Sequence, residues 1–410
     1  MKGEPDFLQN LRDEMGGGRQ WLDRAVVIAY AVLAGLSVVG FTLLADAAID
    51  LYSRLRSGWW WAPLVWTPAL TALIVWTIRR WAPGAVGSGV PQVLTALAPE
   101  TPLSERSRFV SLKLSIAKVL GVSGGLLAGL SVGRQGPSVQ VAAGVMLHAR
   151  RWLSPASGIS DRELLVAGGA AGIAAAFNTP LGGVLFAIEE LSRRAEDRSS
   201  GLLIAAIVLA GLIAVSIYGD TAYFGEIQTQ AVPADIFWPG LLVTLMCGAA
   251  GGVFSRLVIR SLTGGTDRFS RWRRQYPIRF AAGFGLAVAV IGLATQGATF
   301  GSGYESTKAL LAGEATTQPL NALLRFIATW LSTWSGVPGG VFAPSLAIGA
   351  GIGADVALWT GFLHEPALIA LGMVGFLAAA TQAPITSFII VMEMVEGHAL
   401  VLSLMACAMV

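Results

Sequence analysis

Charge is what this sequence has least of. Only 13% of its 410 residues are Asp, Glu, Lys or Arg, about half the share found in an ordinary soluble domain. With 54% hydrophobic residues and a mean hydropathy of +0.65, a soluble globule on a single anchor is excluded. Cysteine is scarce too. Cys247 and Cys407 lie in apolar surroundings without metal-ligand spacing, which reads as two buried, inert thiols and points to no metal or cofactor. Three histidines, His148, His364 and His398, stand beside charged or helix-end positions and receive no role. The net charge of +3 gives no reason to expect nucleic acid as a partner. No secretory signal opens the chain, because residues 1–24 are polar and hold Arg12, Arg19, Arg24 and several acids.

Apolar runs, by contrast, recur along nearly the whole length, near 25–46, 62–78, 110–132, 137–148, 163–188, 201–217 and 237–259. Further runs lie near 280–297, 319–334, 341–363, 367–380 and 384–410. Crossing the hydrocarbon core of a bilayer takes about 20 residues, and several of these runs are shorter or broken by Gly and Pro. Re-entrant and discontinuous helices are therefore expected, buried in protein or lining a cavity. The 50 glycines fit helices packed closely in lipid. Lys and Arg beside the spans place residues 1–24 in the cytoplasm, and the dense arginines at 256–279 read as a basic cytoplasmic connection.

That connection separates two related halves, 25–255 and 280–410. GSG at 87–89 recurs at 301–303, and PSVQVAAGV at 137–145 is matched by PSLAIGAGI at 344–352. GGAAGIAAAFNTPLGGVLFAIEEL at 168–191 is matched by GMVGFLAAATQAPITSFIIVMEMV at 372–395. Three pairs in the same order at nearly constant separation indicate a duplication. Duplicated membrane proteins with broken helices bind their substrate at the repeat interface.

Three interruptions share a design: GSGVP at 87–91, GRQGP at 133–137 and GGVFAP at 339–344. Each places glycines before a proline and an apolar run. Proline at the first helical position costs no hydrogen bond, and glycine lets the chain turn sharply and a ligand approach the backbone. Helix starts leave N–H groups without intrahelical partners, with about half a positive charge at the end. Several such ends converging in a membrane make an anion site. A cation site would instead expect carboxylates or carbonyls.

In this order, the three motifs resemble the signature motifs of the CLC chloride channels and chloride/proton exchangers. FNTPLGGVLFAIEE and QAPITSFIIVMEM are similar to further parts of that family's pattern, so the resemblance covers roughly residues 25–410. It implies an all-α polytopic membrane fold of two inverted-topology halves with discontinuous and re-entrant helices. It also implies a multi-pass protein of a bacterial-type inner membrane, embedded in the lipid bilayer as a homodimer, each subunit with its own path for chloride or another monovalent anion. The resemblance assigns the central anion to the Ser88 hydroxyl and the N–H groups of Val341 and Phe342. Arg134 and Gly136 would flank an outer site. A helix N-cap is the rival role for Ser88. Glu190 matches the inner proton-passing glutamate, with a helix-end charge as its rival role. Lys118 matches a buried lysine, and Glu189 and Glu393 are expected to pair or cap within the protein. The resemblance further implies that serine at position 88 goes with chloride and bromide over nitrate, and that the GSG-type motif disfavours the fluoride-exporting branch.

Two departures stand out. The family's exchangers carry a gating glutamate where this chain has Gln135. Glutamine never takes up a proton, so a native Gln135 implies anion conduction without stoichiometric proton coupling. An engineered Gln135 would imply an exchanger parent, with Glu190 its remaining inner half. The second departure is at the end: Val410 falls where another helix and its anion-binding tyrosine are expected, and Tyr304 cannot take that role by position. Two other readings carry less. An intramembrane serine protease would use Ser123 of GVSG, but that chemistry needs a nearby histidine base. A carrier of organic or other inorganic anions is the second.

Overall fold

The computed structural model describes residues 18–155, 157–192, 201–219, 223–225, 234–314 and 320–410. Most of the expected N-terminal polar segment, including Arg12, lies outside these residues. The described chain is helical throughout, apart from one isolated backbone bridge. Helix α1 (Gly18–Gly58) is far longer than its apolar run and turns at a tryptophan-rich corner into α2 (Pro63–Trp81). Short α3 (Val90–Leu97) is followed by α4 (Leu112–Leu127), α5 (Gln135–His148) and α6 (Asp161–Phe177). Next come α7 (Pro180–Phe186), which passes into a π-helical turn at Ala187–Leu191, and α8 (Gly201–Tyr218). Helix α9 (Phe237–Thr263) carries Arg256 and Arg260 before it ends, α10 (Arg268–Gln275) holds Arg268, Arg271, Arg273 and Arg274, and Arg279 already lies in the next helix.

The second half repeats this plan. Helix α11 (Pro277–Ala294) is followed by short α12 (Tyr304–Leu311), then α13 (Asn321–Trp334) and α14 (Phe342–Thr360). Helices α15 (Glu365–Thr381), α16 (Pro384–Val395) and α17 (Val401–Met409) follow. The last apolar run is thus two helices, divided where Glu396 takes a left-handed conformation.

Six helices among the described residues are long and apolar enough to cross a membrane: α1, α8, α9, α11, α14, and a stretch from Arg106 to Leu127 that includes α4. Their surroundings differ. In α14 83% of the most apolar window is buried in protein, against 28% in α9. Exposed Trp59, Trp60, Trp61, Trp76 and Trp81 suit the water–lipid boundary, where an amphipathic indole is favoured. Helix α5 has 14 residues, which span about 21 Å, too little for a hydrocarbon core of about 30 Å. It begins inside the protein, where Gln135, Gly136 and Pro137 are buried, and that buried start positions the site.

Close packing rests on small residues. Helices α14 and α15 approach until a Cβ added at Gly349 would lie 2.1 Å from the Gly372 carbonyl oxygen. Helices α5 and α6 do the same, with Gly172 against Ser138. The two halves also share backbone details. Asn178 and Gln382 both turn left-handed at the ends of α6 and α15, and each is followed two residues later by the proline that starts α7 or α16. Glu393 then accepts hydrogen bonds from the Leu181 and Gly182 N–H groups at the start of α7, at 3.1 and 2.7 Å. Glu189 accepts from Ile385 and Thr386 at the start of α16, at 3.0 and 2.6 Å. The expected capping role of these glutamates is met, and reciprocally. Such an exchange requires α7 and α16 to run antiparallel, as in a repeat related by a two-fold axis.

Candidate anion site

The loops before α5 and α14 meet through a single pair of residues. Gly133 N–H donates to the Gly340 carbonyl at 2.7 Å, and Gly340 N–H donates back to Gly133 at 2.8 Å. A side chain would hold these strands apart: a Cβ at Gly340 would fall 2.8 Å from Pro137 Cδ. The GSG turn closes on the same point. A Cβ added at Gly136 would lie 3.2 Å from the Ser88 carbonyl oxygen and 3.5 Å from Gly340 Cα. Gly339 N–H reaches the Gly87 carbonyl at 3.4 Å. Three motifs far apart in sequence therefore form one junction.

The junction is rich in uncommitted donors. Intrahelical bonding begins at Ser138 in α5 and Ser345 in α14, and the prolines at 137 and 344 bring no N–H of their own. Among the described residues no group accepts from the N–H of Gly136, Val341 or Phe342. The Ser88 hydroxyl makes no hydrogen bond there either. Its rival role as an N-cap is not taken up: Gly89 holds the N-cap position, with Gln92 Oε1 accepting from its N–H at 2.9 Å and Gln92 Nε2 donating to the Val86 carbonyl. Such a side chain three residues beyond the cap completes a capping box, a spacing that could have been read from GVPQ.

Lys118 lies beneath this turn, fully buried, its ammonium donating to the Gly87 carbonyl at 2.8 Å. No ion pair among the described residues includes it. A buried ammonium with no carboxylate partner carries a desolvation cost of several kcal/mol. Gln135 is 1% exposed, with its amide oxygen buried and unpartnered. Arg134 is not an isolated cation: it pairs with Asp46 and donates to the Tyr223 hydroxyl at 3.3 Å. Asp46, Arg134 and Tyr223 line a cavity of about 670 Å³, together with Arg56, Tyr304 and Arg325. Tyr304 belongs to this vestibule, since its hydroxyl donates to the Tyr223 carbonyl at 2.9 Å. Glu190 is elsewhere, buried in the π-helical turn after α7 and outside that cavity.

Residues 70–410 match the family model described as voltage gated chloride channel. The chain belongs to the CLC family. The H(+)/Cl(-) exchange transporter ClcA of Citrobacter koseri is 32% identical over 366 residues, covering 83% of this chain and 74% of the relative. ClcA of Vibrio parahaemolyticus is 30% identical over 406 residues, covering 92% and 84%. Two solved CLC structures share the fold. A slow cyanobacterial Cl-/H+ antiporter superposes with a TM-score of 0.81 at 24% identity, covering 94% of this chain and 92% of that one. A CLC-type fluoride/proton antiporter gives 0.76 at 20%, covering 99% and 96%. The all-helical polytopic membrane fold is that of CLC proteins, which are transporters of anions and not enzymes. Ser123 is buried in α4, and its hydroxyl has no hydrogen-bond partner among the described residues.

Among the CLC site residues read from the sequence, Ser88, Arg134, Gln135, Gly136, Val341 and Phe342 come together, and Glu190 stands apart. Asp46, Gln92 and Tyr223 escaped sequence reasoning. For Asp46 the signal was an acid inside a long apolar helix; for Tyr223 there was none.

Proposed function

We propose that this CLC protein carries chloride and similar monovalent anions across the bilayer through the three-motif junction, without obligatory proton coupling. One observation carries the reading: among the described residues the N–H groups of Gly136, Val341 and Phe342 and the Ser88 hydroxyl have no acceptor, beside a buried Lys118 that has no ion-pair partner there. A dehydrated chloride supplies the missing acceptor and the missing charge together. The ends of α5 and α14 add the favourable dipole potential. Gln135 holds the place of a gate, but its amide neither carries a competing negative charge nor binds a proton. The Asp46–Arg134 pair shapes the approach, so Arg134 attracts anions with only part of its charge.

A proton-coupled exchanger lineage is the second reading, favoured by relatives named H(+)/Cl(-) exchange transporters and by the presence of Glu190. Liposomes holding a chloride gradient separate the two when chloride and proton movements are recorded together. Uphill proton movement in fixed ratio to chloride contradicts uncoupled transport. The family resemblance also supports a homodimer in a bacterial-type inner membrane, with residues 1–24 and the basic segment 256–279 in the cytoplasm. Cross-linking in native membranes should trap a dimer and no larger ring.

A further inference from the structure

We infer that the second GSG turn and Arg325 form an additional halide site in the vestibule, reached before or after the central junction. The inference rests on the anion-transport reading. Gly301 and Gly303 repeat the left-handed backbone of Gly87 and Gly89, with φ of 69° and 88° against 86° and 112°. Each turn feeds an eight-residue helix, α12 or α3. Each has a buried basic side chain seated against it from the helix that precedes the α14 or α5 break. In the first half this is Lys118 on α4, reaching the Gly87 carbonyl. In the second it is Arg325 on α13, reaching the Ala298 carbonyl and, at 3.2 Å, the Ser306 hydroxyl.

Arg325 has more donors than partners. It is 5% exposed and in no ion pair among the described residues, and its Nη1 is buried without a hydrogen-bond partner. Gly303 makes room for that nitrogen, since a Cβ there would lie 2.5 Å from it. The N–H groups of Glu305 and Ser306 at the start of α12 also donate to no group among the described residues. All three residues line the 670 Å³ cavity that includes Arg134. An unpaired guanidinium at a helix start favours an anion. The same cavity is lined by the carboxylates Asp46, Asp50 and Glu305 and by the cations Arg56 and Lys308, a mixed set that favours a small monovalent anion such as a halide over a multivalent one. The duplicated turn thus acts twice, once at the junction and once in the vestibule.

Crystals of the whole protein grown in bromide provide the test through anomalous scattering. Two peaks are expected, one among Ser88, Val341 and Phe342 and one in hydrogen-bond contact with Arg325. A junction peak alone overturns this inference and leaves the transport reading intact. A vestibule peak alone supports the inference and contradicts the junction. Neither peak sinks both. In oriented liposomes, Arg325→Gln should raise the half-saturating chloride concentration several-fold for anion added on the vestibule face only, with Arg325→Lys falling between. An equal change on both faces, or none in either variant, contradicts a site at Arg325.

Discussion

A neutral amide at the gate changes what pH can do. In the Gln135→Glu variant, a carboxylate would sit beside N–H donors that otherwise receive chloride. When ionised it competes for them; when protonated it does not. Flux through that variant should therefore rise as pH falls, while flux through the native chain stays level across the same range. Stopped-flow chloride efflux at several pH values reads both, and a pH-independent Gln135→Glu variant contradicts the assigned position. Lys118→Met gives a second residue-scale test. Losing the buried ammonium should weaken chloride binding by calorimetry at least tenfold, about 1.4 kcal/mol, and unchanged affinity would remove Lys118 from the account. The places of Ser88, Gln135 and Phe342 at helix starts were legible from their glycine and proline neighbours, whereas the roles given to them came from the family resemblance. Asp46 and Tyr223 were not legible, because their value comes from meeting Arg134 across 88 and 89 positions of chain.

Helix ends, more than helix middles, hold this molecule's information. Breaks at Pro137, Pro344 and Pro384 were visible in the sequence, whereas the run read as 163–188 hid the break at Pro180; each proline begins or lies in the first turn of a helix. The reciprocal caps could be anticipated only as to residue, since Glu189 and Glu393 find their acceptor role in the other half. Each carboxylate accepts two backbone N–H bonds. Hydrogen bonds to charged groups contribute about 1.5–3 kcal/mol apiece when buried. Glu189→Ala and Glu393→Ala should thus lower thermal stability in detergent by similar amounts. A large loss in one and none in the other contradicts the two-fold exchange. Contact between α14 and α15 makes a sharper demand. Gly349→Ala places a Cβ within 2.1 Å of a backbone oxygen, and overpacking of that kind costs about 1–3 kcal/mol. Differential scanning fluorimetry should register it, and a neutral result would mean that the helices separate more readily than their packing suggests.

At the scale of the whole molecule, duplication explains why an anion can be held inside a protein with so little charge. One half supplies the GSG turn, Lys118 and the start of α5; the other supplies the start of α14. At the junction they meet through the Gly133–Gly340 bridge, and away from it through the reciprocal Glu189 and Glu393 caps. The repeat was legible because glycines and prolines fixed by backbone geometry persist after side chains have diverged. The length of α1 was not, since its polar ends extend the helix beyond the apolar run. Transport by the junction, uncoupled from protons, is the central claim. Purified protein in liposomes with a tenfold chloride gradient, with chloride efflux and internal pH followed together, tests it most directly. Chloride should leave rapidly once the membrane potential is shunted, with no proton uptake against a gradient. Protons driven uphill in fixed ratio to chloride would contradict uncoupling, and an absence of chloride flux would contradict the anion path itself.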